Sequence, residues 1–156
     1  MSVAPTLRKY LVAENIQYDE ISHELTMTSA RTAEASHVSG DRLAKAVVLR
    51  RNSGYMLAVL PTSHQLRMSD LRARFGDDID LANEHEINRL FADCAHGAVP
   101  AVGRCYGLDV IVDDSIETQP EIYMEAGDHQ TLLHLNQAQF ARLNGNALHG
   151  RFSAHD

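Results

Sequence analysis

The sequence predicts a single α+β domain in which a curved, mixed and largely antiparallel sheet, barrel-like in form, is covered by several short helices. Three observations carry this expectation. At 156 residues the chain is long enough to bury one sizeable core and too short for two full-sized domains. Short apolar runs rich in valine and leucine alternate with stretches of helical periodicity. Two of those runs are parted only by a turn cluster, which requires at least one hairpin. No internal repeat, low-complexity tract or linker divides residues 1–156, and the tail after about residue 145 is expected to be loose.

Taken in order, Leu7, Tyr10 and Leu11 fall at i, i+3 and i+4 behind Thr6 and predict a helix to about Glu14. "YDEISH" alternates weakly and reads as a strand. "TAEASHVSG" has small side chains that let a helix pack closely, with Gly40 as its stop. "RLAKAVVLR" and "YMLAVLP" flank the turn cluster "RNSG" and predict an antiparallel hairpin in the sheet interior. A brief helix follows from Ser69, Leu71 and Phe75 before Gly76, and "DIDLA" is a short strand. Asn83 with Glu86 forms a capping-box pattern ahead of Ile87, Leu90 and Phe91. "CAHGAVPAVGRCYG" crowds turn residues too closely for a regular element and precedes the strand "LDVIVDDS". "EIYMEAGDH" and "TLLHLN" are two strands around a Gly-Asp-His corner, and "NQAQFARLNG" is a closing helix with Phe140 and Leu143 inward.

Composition excludes several classes. No run approaches the ~18 apolar residues of a membrane span, so no membrane role is expected. The N-terminal stretch lacks the charged, apolar and small-residue order of a secretory signal, which predicts a cytoplasmic protein. Cys94 and Cys105 are expected to be free thiols in a reducing compartment. A formal charge of -7 excludes a broad electrostatic grip on nucleic acid, so any such contact is small and local.

One cation stands out against this background. The chain has only two lysines, and Lys45 lies inside an apolar strand. Alternation puts Lys45 on one face with Leu43, Val47 and Leu49, and Ala44, Ala46 and Val48 on the other, so neither face looks solvated. An ammonium removed from water must snorkel, pair with a carboxylate or line a polar cavity. The other explanation is an edge strand whose lysine guards against aggregation. A second feature is "GAVPAVG", residues 97–103, where glycines flanking a proline allow backbone amides to approach a ligand.

The "AKAVVL" strand around Lys45, the "CAHGAVP" loop about fifty residues later and "AGDHQTLL" near the end together resemble the YbaK/prolyl-tRNA-synthetase-associated editing domain family. The resemblance covers nearly the whole chain. It implies an aminoacyl-tRNA deacylase, a hydrolase of the ester of mischarged tRNA acting in trans, with no cofactor and no metal. Its implied partners are the 3′ acceptor end of tRNA and an aminoacyl-tRNA synthetase. By position, Lys45 is implied to hold the tRNA 3′ end, and Gly97, with Ala98, Val99, Pro100 and Gly103, to form the loop that contacts the aminoacyl carbonyl and the attacking water. Gly127, Asp128 and His129 match a corner at the pocket rim. The family picture takes the proton through the substrate's own ribose hydroxyl; among side chains, Asp128 and His129 are the candidates for a general base. Arg50 and Arg104 are further local cations for tRNA. Relatives often carry a second proline where this chain has Ala101, which bears on substrate choice more than on reaction type.

Three rival readings stand beside this one. A thiol or metal site on Cys94, His96 and Cys105 lacks the paired spacing of zinc motifs. A non-catalytic module that binds an aminoacyl or nucleotide group, or a synthetase, keeps the fold without turnover. A histidine cluster from His23, His37, His64 and His85 has no spacing to support it.

Overall fold

The structure, a computed structural model, describes residues 3–26, 28–52 and 54–156. Its strands are β1 (Asp19–Ser22), β2 (Leu43–Arg51), β3 (Gly54–Pro61), β4 (His64–Leu66), β5 (Asp80–Leu81), β6 (Asp109–Asp113), β7 (Glu121–Glu125), β8 (Thr131–Asn136), β9 (Leu148–Gly150) and β10 (Ser153–His155). Its helices are α1 (Pro5–Ala13), α2 (Ser29–Ser36), α3 (Met68–Phe75), α4 (Glu84–Leu90), α5 (Asp114–Glu117) and α6 (Gln137–Leu143), with a 3-10 turn over Arg104–Tyr106.

The main sheet runs β1-β8-β7-β2-β3-β6-β9, with β5 also on β2. It is mixed: β2 joins β7 in parallel, β3 joins β6 in parallel, and β6 joins β9 in parallel, whereas β1–β8, β8–β7, β2–β3 and β2–β5 are antiparallel. The α+β class is as the sequence predicts, but the sheet is not closed into a barrel, because its terminal strands β1 and β9 pair with β8 and β6 and not with each other.

Why the central strands read as unbroken apolar runs is now plain: each face of the sheet carries its own core. Ala44, Val48, Leu57, Val59, Val110 and Val112 pack into one cluster, closed by Leu7 and Leu11 of α1 and Phe140 and Leu143 of α6. Leu49, Met56, Ala58, Leu60 and Ile111 face the other, closed by Leu71 of α3, Ile79 and Phe152. Strands covered on both sides lose the polar alternation of a half-exposed sheet.

The predicted hairpin is present, with Ala44 opposite Pro61 and Arg51 opposite Gly54. The Asn83–Glu86 capping box closes in both directions, at 2.8 and 2.9 Å. Helix α2 differs from expectation: Thr28 caps it, and it ends at His37, whose left-handed φ of 57° stops the helix before Gly40. The amide of Val38 returns to the Ala33 carbonyl at 3.0 Å, which closes the helix a turn early. Gly40 serves a close approach instead, since an added Cβ would stand 3.2 Å from Ser63 Cβ.

The tail after Asn144 is not loose. It supplies β9 on the sheet and β10 on β4. Between them Phe152 is 1% exposed in the α3-side core, and its amide donates to Asp113 Oδ2 at 2.9 Å. Burial of Asp113 raises its carboxyl pKa, but hydrogen bonds from Ser115 and Phe152 prevail and hold it below the ordinary range. That contribution is therefore present at neutral pH and lost as acid protonates the group.

The tail's role has a direct test. Phe152→Ala leaves a core cavity and is expected to cost about 3–5 kcal/mol of unfolding free energy. Chemical denaturation measures it, and a change within experimental error contradicts an integral tail.

Candidate functional site

Strand β2 is paired along one edge by β3 for most of its length. On the other edge β7 covers only Leu43 and Ala44, and β5 only Leu49 and Arg50. Residues 45–48 thus have no strand partner on that side. Arg42 gives its carbonyl to Tyr123 on β7 and Val48 its carbonyl to Ala82, next to β5, whereas Leu43 gives its own to Thr62 on the β3 side. Hydrogen-bonding direction alternates along a strand, so Ala46 aims its N–H and C=O into the gap.

A cavity of about 320 Å³ occupies this gap, lined by Ala46, Val47, Val48, Leu81, Ala82, Glu84, Ile87, His96, Gly97 and Val99. Its size suits one small ligand group. Three larger depressions, near α2 (about 560 Å³), between α5 and α6 (about 680 Å³) and between β4 and α5 (about 360 Å³), have no glycine among their lining residues. Gly97 has φ 81° and is exposed, and neither its amide nor that of Val99 donates to any protein acceptor among the described residues. At the mouth His96 Nε2 and Glu84 Oε1 stand 3.5 Å apart with both side chains more than half exposed, a pair that contributes little stability.

The loop is held from four directions. Asp93 Oδ2 accepts the Thr6 amide at the start of α1 (2.8 Å), and Tyr106 donates to Asp93 Oδ1 (3.0 Å). The amide of Ala95 reaches the Gly127 carbonyl at 2.7 Å. Buried Asn144 donates to the Ala101 carbonyl (2.8 Å) and accepts the Gly103 amide (3.3 Å). His129 Nε2 meets the His96 carbonyl at 2.5 Å. Ala98 and Pro100 are buried beneath the loop, and at Gly103 a Cβ would come within 2.6 Å of Val110 Cγ2.

Of the residues expected from sequence, Gly97 and Val99 line the cavity; Ala98, Pro100 and Gly103 are the buried base of their loop. The Gly-Asp-His corner lies behind the loop and not among the cavity's lining residues. Gly127 admits Ala4 and Cys94, whose atoms would stand 2.9 and 3.4 Å from an added Cβ. Asp128 turns the β7–β8 connection, accepting the amides of Gln130 and Thr131 at 2.9 and 2.8 Å and the Thr131 hydroxyl at 3.0 Å. His129 is 2% exposed.

Lys45 is also not among the residues that line the cavity. It points with Val47 and Leu49 to the α3 side, is half-buried, and donates to the His64 carbonyl at 2.7 Å. Burial lowers its pKa from the ordinary lysine range, with the Asp156 carboxylate opposing. Arg50 pairs with Glu86 at 3.7 Å, and Arg104 lines a separate depression with Asn144 and Ala147.

The chain belongs to the aminoacyl-tRNA editing domain family. The family's model matches residues 23–143, a span that takes in the β2 gap, the 97–103 loop and the β7–β8 hairpin. Among solved structures, a hypothetical protein is 20% identical, covering 96% of this chain and 99% of its own, with a TM-score of 0.84. A candidate trans-editing enzyme for prolyl-tRNA synthetase is also 20% identical, covering 97% and 99%, with a TM-score of 0.83. A candidate signal-transduction protein of Marinobacter aquaeolei is 18% identical over 96% of this chain and 31% of its own, with a TM-score of 0.75. At such identities these neighbours establish the fold alone. No curated protein matches the sequence.

The thiol reading finds no support in this setting for an editing domain. Burial pushes Cys94 up to about 11 and Cys105 up to about 12, so neither supplies a thiolate at neutral pH. No group of three or more metal-binding side chains occurs among the described residues. A thiol reagent at pH 7.5 is expected to label both cysteines far more slowly than free cysteine, with the rate rising only above about pH 10. Rapid labelling at neutral pH contradicts the burial described.

Proposed function

We propose that this protein hydrolyses the ester of mischarged aminoacyl-tRNA in trans, at the cavity beside β2. The observation that carries the reading is the conjunction, within a matched editing domain, of a small apolar cavity and a glycine amide with no protein acceptor among the described residues. An aminoacyl ester needs its carbonyl polarised and a water brought to it, and no strong side-chain nucleophile. In this proposal the Gly97 amide donates to the carbonyl oxygen as negative charge develops there. A fixed donor of that kind supplies about 3–4 kcal/mol of transition-state stabilisation. The ribose hydroxyl next to the ester relays the proton, accepting one from the attacking water as it passes its own to the leaving ribose oxygen, as the family resemblance implies, and the amino-acid side chain enters among Ala46, Val48, Ala82 and Ile87.

The proposal keeps Lys45 as the residue that holds the tRNA 3′ end. To do so its amine exchanges the His64 carbonyl for a phosphate or ribose oxygen, moving past the unpaired edge at 45–48. A synthetase partner that supplies tRNA identity belongs to the same proposal, because the charge of -7 leaves little surface for a broad phosphate grip.

The second reading, a module that binds an aminoacyl group without turnover, is favoured by one observation: Lys45 is engaged by the His64 carbonyl and is not among the residues that line the cavity.

A panel of mischarged tRNAs separates the two. Wild type is expected to accelerate deacylation of at least one of them, Gly97→Val to lose roughly 100-fold or more in kcat/KM, and Lys45→Ala to lose at least about tenfold while keeping its circular dichroism spectrum. No acceleration across a broad panel leaves the binding reading. A Lys45→Ala protein with full activity and a lowered melting temperature makes that lysine a brace between β2 and β4 only. Binding of tRNA is expected to weaken with salt at a slope indicating one or two phosphate contacts, and a slope several times steeper contradicts the local grip.

A further inference from the structure

Behind the loop lies a buried polar group that the proposed reaction does not use. Glu125 ends β7, and its side chain is 4% exposed. Its Oε2 accepts from Thr32 Oγ1 at 3.2 Å and faces His129 Nδ1 at 3.3 Å. Among the described residues its Oε1 has no hydrogen-bond partner, nor has His23 Nε2, which stands 3.9 Å away and is buried; His23 Nδ1 is engaged by the Glu24 carbonyl at 2.7 Å. Burial pushes the Glu125 carboxyl up, with His129 and the Thr32 hydroxyl opposing. His129 itself adopts φ 61°, a left-handed conformation that asparagine or glycine would hold at less strain. A buried ionisable pair in a strained turn is weak evidence for stability. Its position is the informative feature.

The proton inventory fixes the ring. A carbonyl oxygen only accepts, so His129 Nε2 carries hydrogen and donates to His96 O. Nδ1 lies 3.3 Å from Glu125 Oε2, so both ring nitrogens have a partner. The His96 carbonyl and the Gly97 N–H belong to the same peptide plane, which is trans, and in a trans peptide the two point in opposite directions. Holding the carbonyl inward against His129 therefore turns the amide outward, and a hydrogen bond on the carbonyl polarises that N–H further.

We propose that Glu125 and His129 are a buried positioning pair that aims the Gly97 amide into the cavity, with Thr32 fixing the carboxylate. Neither touches substrate. The claim rests on the deacylase reading for its kinetic consequence and on geometry alone for the orientation of the amide.

The test uses the full-length protein as wild type, His129→Ala, His129→Gln and Glu125→Ala. Deacylation is measured as kcat and KM separately, and the Gly97 amide is followed by NMR with 15N-glycine label, which gives at most nine signals. His129→Ala is expected to lower kcat roughly 10- to 100-fold, within the range for a misplaced oxyanion donor, with KM within about twofold and the Gly97 signal shifted. His129→Gln keeps a donor for the His96 carbonyl and is expected to restore most of kcat and the wild-type signal. Glu125→Ala is expected to follow His129→Ala in direction, and it carries the comparison if His129→Ala does not fold. The proposal is overturned if the folded variants leave the Gly97 signal unmoved, if only KM changes, or if His129→Gln is as impaired as His129→Ala. A wild-type chain that cleaves no ester removes the deacylase reading, and the Gly97 signal then decides the positioning role by itself.

Discussion

The structure depends on an interruption in one strand's pairing. β2 must be covered on both faces to close two cores, and it must be paired on both edges to satisfy its backbone, yet β7 leaves it at Ala44 and β5 joins it only at Leu49. An unpaired backbone group buried in apolar surroundings is costly. The sheet meets that cost by leaving the gap open as a cavity, where Ala46 can be satisfied by solvent or a ligand. The small side chains at Ala46 and Ala82 keep the space from filling. A wider departure of β7 would expose the cores, and a continuous ladder would abolish the site.

The glycine loop answers this gap from across the cavity. Its backbone would be mobile if judged by composition alone, with two glycines and three alanines between 95 and 103. Its hydrogen bonds make it the opposite: α1 holds it through Asp93, the end of α6 through Asn144, and the β7–β8 hairpin through Gly127 and His129. Each brace is distant in sequence from the loop it fixes. A donor held in place before substrate arrives needs no reorganisation during the reaction, and this separates a catalytic amide from an ordinary solvated one.

How much of this was legible in the sequence follows from the range of the interactions. The β2–β3 hairpin, the capping box at Asn83 and the helix around Phe140 are local patterns, and they lie where periodicity and turn chemistry put them. Strands β4, β9 and β10 have three residues each, too few to show a period, and they exist because Phe152 and Asp113 bind the tail down. The end of α2 departs from the sequence pattern because histidine takes the left-handed position that glycine usually fills. Alternation correctly grouped Lys45 with Leu43, Val47 and Leu49, but it says nothing of which face the loop will cover. Thr32 and Glu125 lie 93 residues apart, and no spacing rule links them.

The cavity's chemistry also constrains how selectivity can arise. On the proposed reading the side chain of the amino acid meets alanine, valine and isoleucine, with Glu84 and His96 confined to the mouth. An apolar pocket rejects what is too large by overlap, but one methylene fewer costs a substrate only about 1–3 kcal/mol, and a smaller or isosteric residue is not excluded. Such a pocket distinguishes an amino acid poorly from its near neighbours and a tRNA hardly at all. A net charge of -7 argues against a broad second grip on the acceptor stem. Accuracy in such a protein therefore has to come from elsewhere. On that reading, either a synthetase presents the tRNA, or cognate esters are protected by being bound before they meet this protein.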